Sequence, residues 1–239
     1  MSADPLTPYE PHVGMSRQYW RDIVLGVNDG LVSMLLLVAG VVGGGLDAAQ
    51  VLLTGVAGAV AGAVSMAAGE YLATKSQDEV LESELALERV HIREHRQVEL
   101  DQLRGMFADM GLAEDDLDPI VAAFDRSDTA LLNAMAALEF GVVDTERRSP
   151  YKAMVFSGIL FLVGSLPSVV PFVLSSDTSL GLAWAAGMAL LGLFVVGVAK
   201  TRVTRGNPWT AGLENMAIAG LGGVVAYFVG SLIGAGLAV

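Results

Sequence analysis

Four side chains in two apolar stretches carry the first chemistry visible in this sequence. Asp22 and Asp29 are seven residues apart, so they share one face of a helix, with Gly26 between them and Ser33 one turn further on. Met66 and Glu70 are four apart and share a face of the next apolar stretch. Carboxylates bind hard or borderline divalent cations and a thioether favours softer ones, so the combination suits iron(II) or manganese(II) better than magnesium or calcium. Two readings are open for Asp22, which lies beside Trp20 and Arg21: a pathway ligand, or an ion-paired residue at the membrane interface. Met66 is open in the same way between ligand and packing. Asp29, in Asn28-Asp29-Gly30, sits about two turns into an apolar helix, where an acid is expensive and marks function. Glu70 has the same character nearer the cytoplasmic end. Glu214 and Asn215 lie near an interface and read as capping or snorkelling groups.

A second pattern lies in a charged segment. Glu84, Glu88, His91, His95, Glu99 and Gln102 step by 4, 3, 4, 4 and 3 residues, which predicts one continuous stripe along a helix. Met135 and Glu139, four apart, form a smaller face further on. Glutamate and histidine on facing helices are the donors of carboxylate-rich iron sites, while a solvated charged face is the plain alternative.

The elements that must position these groups follow from composition. Of 239 residues 53% are hydrophobic and 17% charged, greasier and less charged than soluble domains, and the charge is concentrated in residues 75–151. Stretches at about 22–45, 49–73, 152–175, 179–200 and 211–237 are long enough to cross some 30 Å of hydrocarbon at 1.5 Å per residue. The fold class expected is an all-α membrane protein: five transmembrane helices with a cytoplasmic three-helix insert between the second and third. The domains read as a tail over 1–20, spans one and two over 21–74, the insert over 75–150, and spans three to five over 151–239. Within the insert, helices are predicted over 75–105, from about Glu114 to before Ser127, and from about Thr129 to Val143. Pro167 and Pro171 predict a kink in the third span. Glycines in the second and fifth spans predict close helix packing and a dimer seam.

With five spans, all 14 lysines and arginines fall on one side, and the opposite loops hold Asp47 and Asp177 instead. The N-terminus and insert are therefore expected in the cytoplasm. The stretch before Trp20 carries Asp4 and Glu10 and has no short apolar core, so no signal peptide is expected; with no long tail either, the reading leans to a bacterial inner membrane. A net charge of −12 argues against nucleic acid as a partner. The absence of cysteine excludes disulfides, thiolate zinc sites and iron–sulfur clusters.

The segments RDIVLGVNDGLVS (21–33) and SMAAGEYLATKSQ (65–77) resemble the vacuolar iron transporter family, relatives of the yeast calcium-cross-complementing transporter. The order of two spans, insert and three spans matches as well. The resemblance implies a dimeric exporter of iron(II), often also manganese(II), working against protons, with pathway residues at Asp22, Asp29, Met66 and Glu70. It also implies a metal-collecting insert in which Glu88, Glu99, Met135 and Glu139 stand at ligand positions, while His91 and Gln102 replace the usual glutamates. No permanently bound cofactor is implied; iron(II) or manganese(II), with zinc(II) and cobalt(II) as further candidates, is cargo. The competing readings are a membrane-anchored ferroxidase, for which Glu88-Arg89-Val90-His91 supplies one Glu-x-x-His element, and a metal store or sensor merely anchored by its spans.

Overall fold

The computed structural model describes residues 16–141 and 148–237, all helix and connecting turns with no strand among them. Most of the expected 1–20 tail, Arg147 and the expected helix end at Val143 lie outside the described residues. The helices are α1 (Ser16–Gly43), α2 (Ala48–Glu94), α3 (Arg96–Asp109), α4 (Glu114–Asp125), α5 (Asp128–Leu138), α6 (Pro150–Val169), α7 (Pro171–Leu174), α8 (Thr178–Thr204) and α9 (Pro208–Leu237). Five of them, α1, α2, α6, α8 and α9, are long and apolar enough to cross a membrane.

Local chemistry explains the boundaries. After α1, Gly45 takes a left-handed conformation (φ 89°), which lets Leu46 N–H reach back to the Val41 carbonyl and close the helix end. Asp47 and Gln50 then cap α2 reciprocally: Gln50 N–H donates to Asp47 Oδ1 at 2.9 Å, and Asp47 N–H to Gln50 Oε1 at 3.1 Å. Asp177 caps α8 through Leu180 N–H, and Asn207 caps α9, with Pro208 at its first position. Of the two prolines expected to bend the third span, Pro167 lies within a continuous α6. The interruption falls at Val170, because Pro171 has no N–H to continue the ladder.

The chain divides into two compact units, one formed by the residues up to Glu70 and from Met154 onward, the other by Tyr71–Ala153. In the first, Leu31, Leu35, Ala189, Leu193 and Ala219 bury a seam between α1, α8 and α9, and Val38, Ala48, Val51, Phe172 and Ala185 form a second. Leu53, Val64, Leu221 and Leu232 point outward, as suits helices surrounded by hydrocarbon. Helices α1 and α6 meet backbone to backbone. A Cβ on Gly30 would strike the Phe161 carbonyl oxygen, and one on Gly164 that of Val27. Gly164→Ala should therefore cost about 1–3 kcal/mol, the usual penalty for overpacking, measured as a lower Tm of the detergent-solubilised protein.

The second unit folds around Ile92, Leu100, Leu103, Leu131 and Met135, with Phe107 and Phe124 stacked at 5.9 Å between ring centres. Gly111, at φ 94°, ends α3, and Ser127 caps α5 by accepting from Ala130 N–H. Here the structure corrects the sequence reading. The helix predicted over 75–105 is broken at His95, whose φ of −131° and ψ of 34° are not helical, so the insert holds four helical segments instead of three. No proline or glycine signals the break. Ile92 before the break and Leu100 and Leu103 after it share one core.

Candidate metal sites

The break at His95 assembles the cluster in the second unit. On an unbroken helix Glu99 would lie about 12 Å beyond His91 along the axis. Here Glu99 Oε1 is 3.4 Å from His91 Nδ1, and Glu88 Oε2 is 3.9 Å from the same nitrogen. One ligand atom from each of Glu88, His91 and Glu99 lies within 4.8 Å of the others, so a small contraction would bring all three onto one divalent ion. Both glutamates are 4% exposed, while the His91 side chain is 39% exposed and forms the open side.

The surroundings of Glu88 disfavour a bare carboxylate. Its Oε1 is buried without a hydrogen-bond partner. Burial, followed by the nearby carboxylates of Glu99 and Glu139, pushes its carboxyl up to about 7 from an ordinary 4.5. A cation between these oxygens would relieve both.

Of the other expected ligands of this unit, Met135 lies in the core and the rest are exposed. Glu84, His95 and Gln102 are exposed, the His95 ring lying 6.4 Å from that of His91. Met135 is fully buried in the apolar core. Glu139 is exposed at the end of α5, near enough for its charge to act on Glu88. The stripe is thus two groups of residues on two helices, and the break decides which of them meet.

In the first unit, α1 and α2 both pack on α6. Gly30 abuts the Phe161 backbone, Gly62 abuts the Phe161 ring, and Gly58 meets Met34 and Leu37. This antiparallel register puts Glu70 about level with Asp22, and Met66 about level with the turn from Gly26 to Asp29. Asp22 is 4% exposed and lies 3.6 Å from Arg21 Nε. Asp29 is half-buried and accepts from Ser33 Oγ at 2.7 Å. Beside it, Asn28 Oδ1 is buried without a partner. Met66 and Glu70 are half-buried.

Sequence reasoning missed the serines that α6 buries: Ser157, Ser165 and Ser168. Ser165 donates back to the Phe161 carbonyl at 2.7 Å, whereas Ser168 Oγ is unpartnered. Their signal was small polar residues recurring every third to eighth position in an otherwise apolar span. Asn215, expected to cap or snorkel, donates instead to the Leu193 carbonyl of α8 at 3.4 Å, while Glu214 is exposed.

Five long apolar helices, acids inside the first two, and a separate helical unit with buried carboxylates define an integral membrane protein with polar groups built into both parts. The chain belongs to the VIT family, whose model matches residues 20–231, as the two motifs led us to expect. It is 30% identical over 207 residues to "Vacuolar iron transporter 1" of Tulipa gesneriana, covering 87% of this chain and 84% of that protein. Against "Vacuolar iron transporter 1" of Arabidopsis thaliana the identity is 26%, covering 89% and 85%. It is 24% identical to "Protein CCC1" of Saccharomyces cerevisiae, over 89% of this chain and 68% of the yeast protein.

Proposed function

We propose that this protein is a divalent transition-metal transporter that moves iron(II), and manganese(II) alongside it, out of the cytoplasm in exchange for protons. The observation that carries the reading is the placement of Asp29 inside the apolar length of α1, near the level of Met66 and about two turns from that of Glu70 on α2. An acid at that depth is costly unless it serves a cation. The same oxygens bind metal only when deprotonated, so metal and proton compete for them, which is sufficient to couple their movements. Names of the relatives point the same way: the plant proteins are called iron transporters.

In this reading the Tyr71–Ala153 unit faces the cytoplasm with the N-terminus, which the placement of the lysines and arginines supports. Its Glu88–His91–Glu99 cluster gathers ions, with Glu139 adding negative charge and Asp22 and Glu70 forming the cytoplasmic end of the pathway. The working protein is a homodimer. The decisive experiment is metal flux in proteoliposomes with iron(II), manganese(II), cobalt(II) and zinc(II), with and without a pH gradient. Flux that ignores the pH gradient would remove the antiport, and no flux with intact binding would favour a store or an oxidase.

The imidazole makes the cluster a mixed nitrogen–oxygen site. His91→Glu should raise binding of manganese(II) relative to zinc(II) by about one order of magnitude, a change of about 1.4 kcal/mol. Competitive metal titrations of the two full-length proteins check this, and an unchanged ranking would make His91 a bystander.

A further inference from the structure

Arg96 is the first residue of α3, and it ties together three helix ends. Its Nε donates to Asp125 Oδ1 at 2.6 Å, its Nη1 to Asp128 Oδ1 at 2.6 Å, and its Nη2 to the Asp125 carbonyl oxygen at 2.5 Å. Asp125 closes α4, where the last carbonyls lack helical partners, and Asp128 opens α5. A planar guanidinium offers donors in a rigid fork that reaches all three acceptors, and a lysine ammonium does not.

These contacts matter for direction more than for stability. The Asp128 side chain is 79% exposed, and ion pairs so open to water contribute little to folding. Direction, however, is what the break at His95 leaves open. His95 makes no side-chain cap to α3, and a single non-helical residue joins α2 to α3. Glu99 follows Arg96 by three residues, on the turn that Arg96 fastens. Glu139 terminates the helix that Asp128 begins.

We propose that Arg96 is the positioning residue of the metal cluster: by fastening the start of α3 to the corner between α4 and α5, it holds Glu99 against His91 and Glu88. The inference rests on the metal-collecting reading above and specifies what makes the cluster bind. Arg104 serves as its internal contrast. It pairs with Glu114 and Asp118 and so also joins α3 to α4, but two turns further from the break.

The test is cobalt(II) titration of the full-length protein in detergent, followed by the visible absorption of the bound ion. The part of the signal lost in Glu99→Ala defines the cluster's share. Arg96→Ala and Arg96→Lys should each weaken that share by about tenfold, the low end of what losing a group that orients a ligand costs, because Arg96 acts on Glu99 through the backbone of α3. The bound-ion spectrum should shift toward that of Glu99→Ala, while Arg104→Ala leaves affinity and spectrum unchanged. A purely structural role would lower the Tm without altering the spectrum. Should Arg96→Ala fail to fold, Arg96→Lys decides. Unaltered affinity and spectrum in Arg96→Lys, with binding intact in the unmodified protein, overturns the inference alone. Failure of the unmodified protein to bind cobalt(II) overturns the metal-collecting reading and this inference with it.

Discussion

Asp29→Asn is expected to bring metal flux down to background while the protein still folds and inserts. The amide keeps the shape and can still accept from Ser33 Oγ, the bond seen at 2.7 Å. What it loses is the negative charge that balances a divalent ion inside the apolar length of α1. Charge at mid-bilayer costs at least about 2.5–3.5 kcal/mol, and removing a comparable compensation reduces occupancy by about a hundredfold. The measurement is initial-rate iron(II) uptake in proteoliposomes at matched protein content. Flux within a few-fold of the unmodified protein would take Asp29 out of the pathway. Glu70→Gln should act in the same direction with a smaller loss, because Glu70 stands about level with Asp22, at the end of the apolar length of α2.

The double variant Glu88→Ala, Glu99→Ala should remove high-affinity binding by the Tyr71–Ala153 unit, by more than about a hundredfold. It deletes two donors outright, whereas losing a supporting group typically costs 10–100-fold. Transport at low metal should slow, and transport at saturating metal should persist, as the proposed role of the cluster in collecting ions entails.

The pH dependence carries its own sign. The Glu88 carboxyl, pushed up to about 7, keeps its proton in the metal-free fold across the range from 4.5 to 7, in which an unfolded chain has lost it. The contribution of Glu88 to the stability of the metal-free unit is therefore fully present below about 4.5 and declines as pH rises to about 7. Metal must displace that proton, so affinity should rise by about tenfold per pH unit up to about 7 and then level off. A titration series from pH 5.5 to 8 on the full-length protein checks both arms, and Glu88→Gln should flatten the stability profile. An affinity profile already flat from pH 5.5 upward would mean that Glu88 is not a ligand.

Much of this was legible in the sequence because membranes leave few options. Hydrocarbon forces a continuous apolar run for each crossing helix, so the five long helices and the charged unit between the second and third follow from composition alone. The intramembrane acids were legible for the same reason: Asp29 and Glu70 stand out where almost nothing is charged. Helix ends at Gly45, Asp177 and Asn207 follow from local chemistry, since capping depends on neighbours three or four residues away.

What the sequence could not disclose depends on contacts distant along the chain. The pattern from Glu84 to Gln102 is helical throughout, with no proline or glycine near His95, so periodicity alone draws a single stripe. The tertiary structure overrules it: the chain leaves helical geometry at His95, between Ile92 and the Leu100 and Leu103 with which it shares a core. That break decides that Glu88, His91 and Glu99 converge while Glu84, His95 and Gln102 remain exposed. Arg96 belongs to the same category, as its acceptors lie 29 and 32 residues away. The sequence thus determined which residues could bind a cation, because residue type and helical spacing are local properties. Only the tertiary structure decided which of them share one, because that choice is made by how apolar surfaces remote in the chain are buried together.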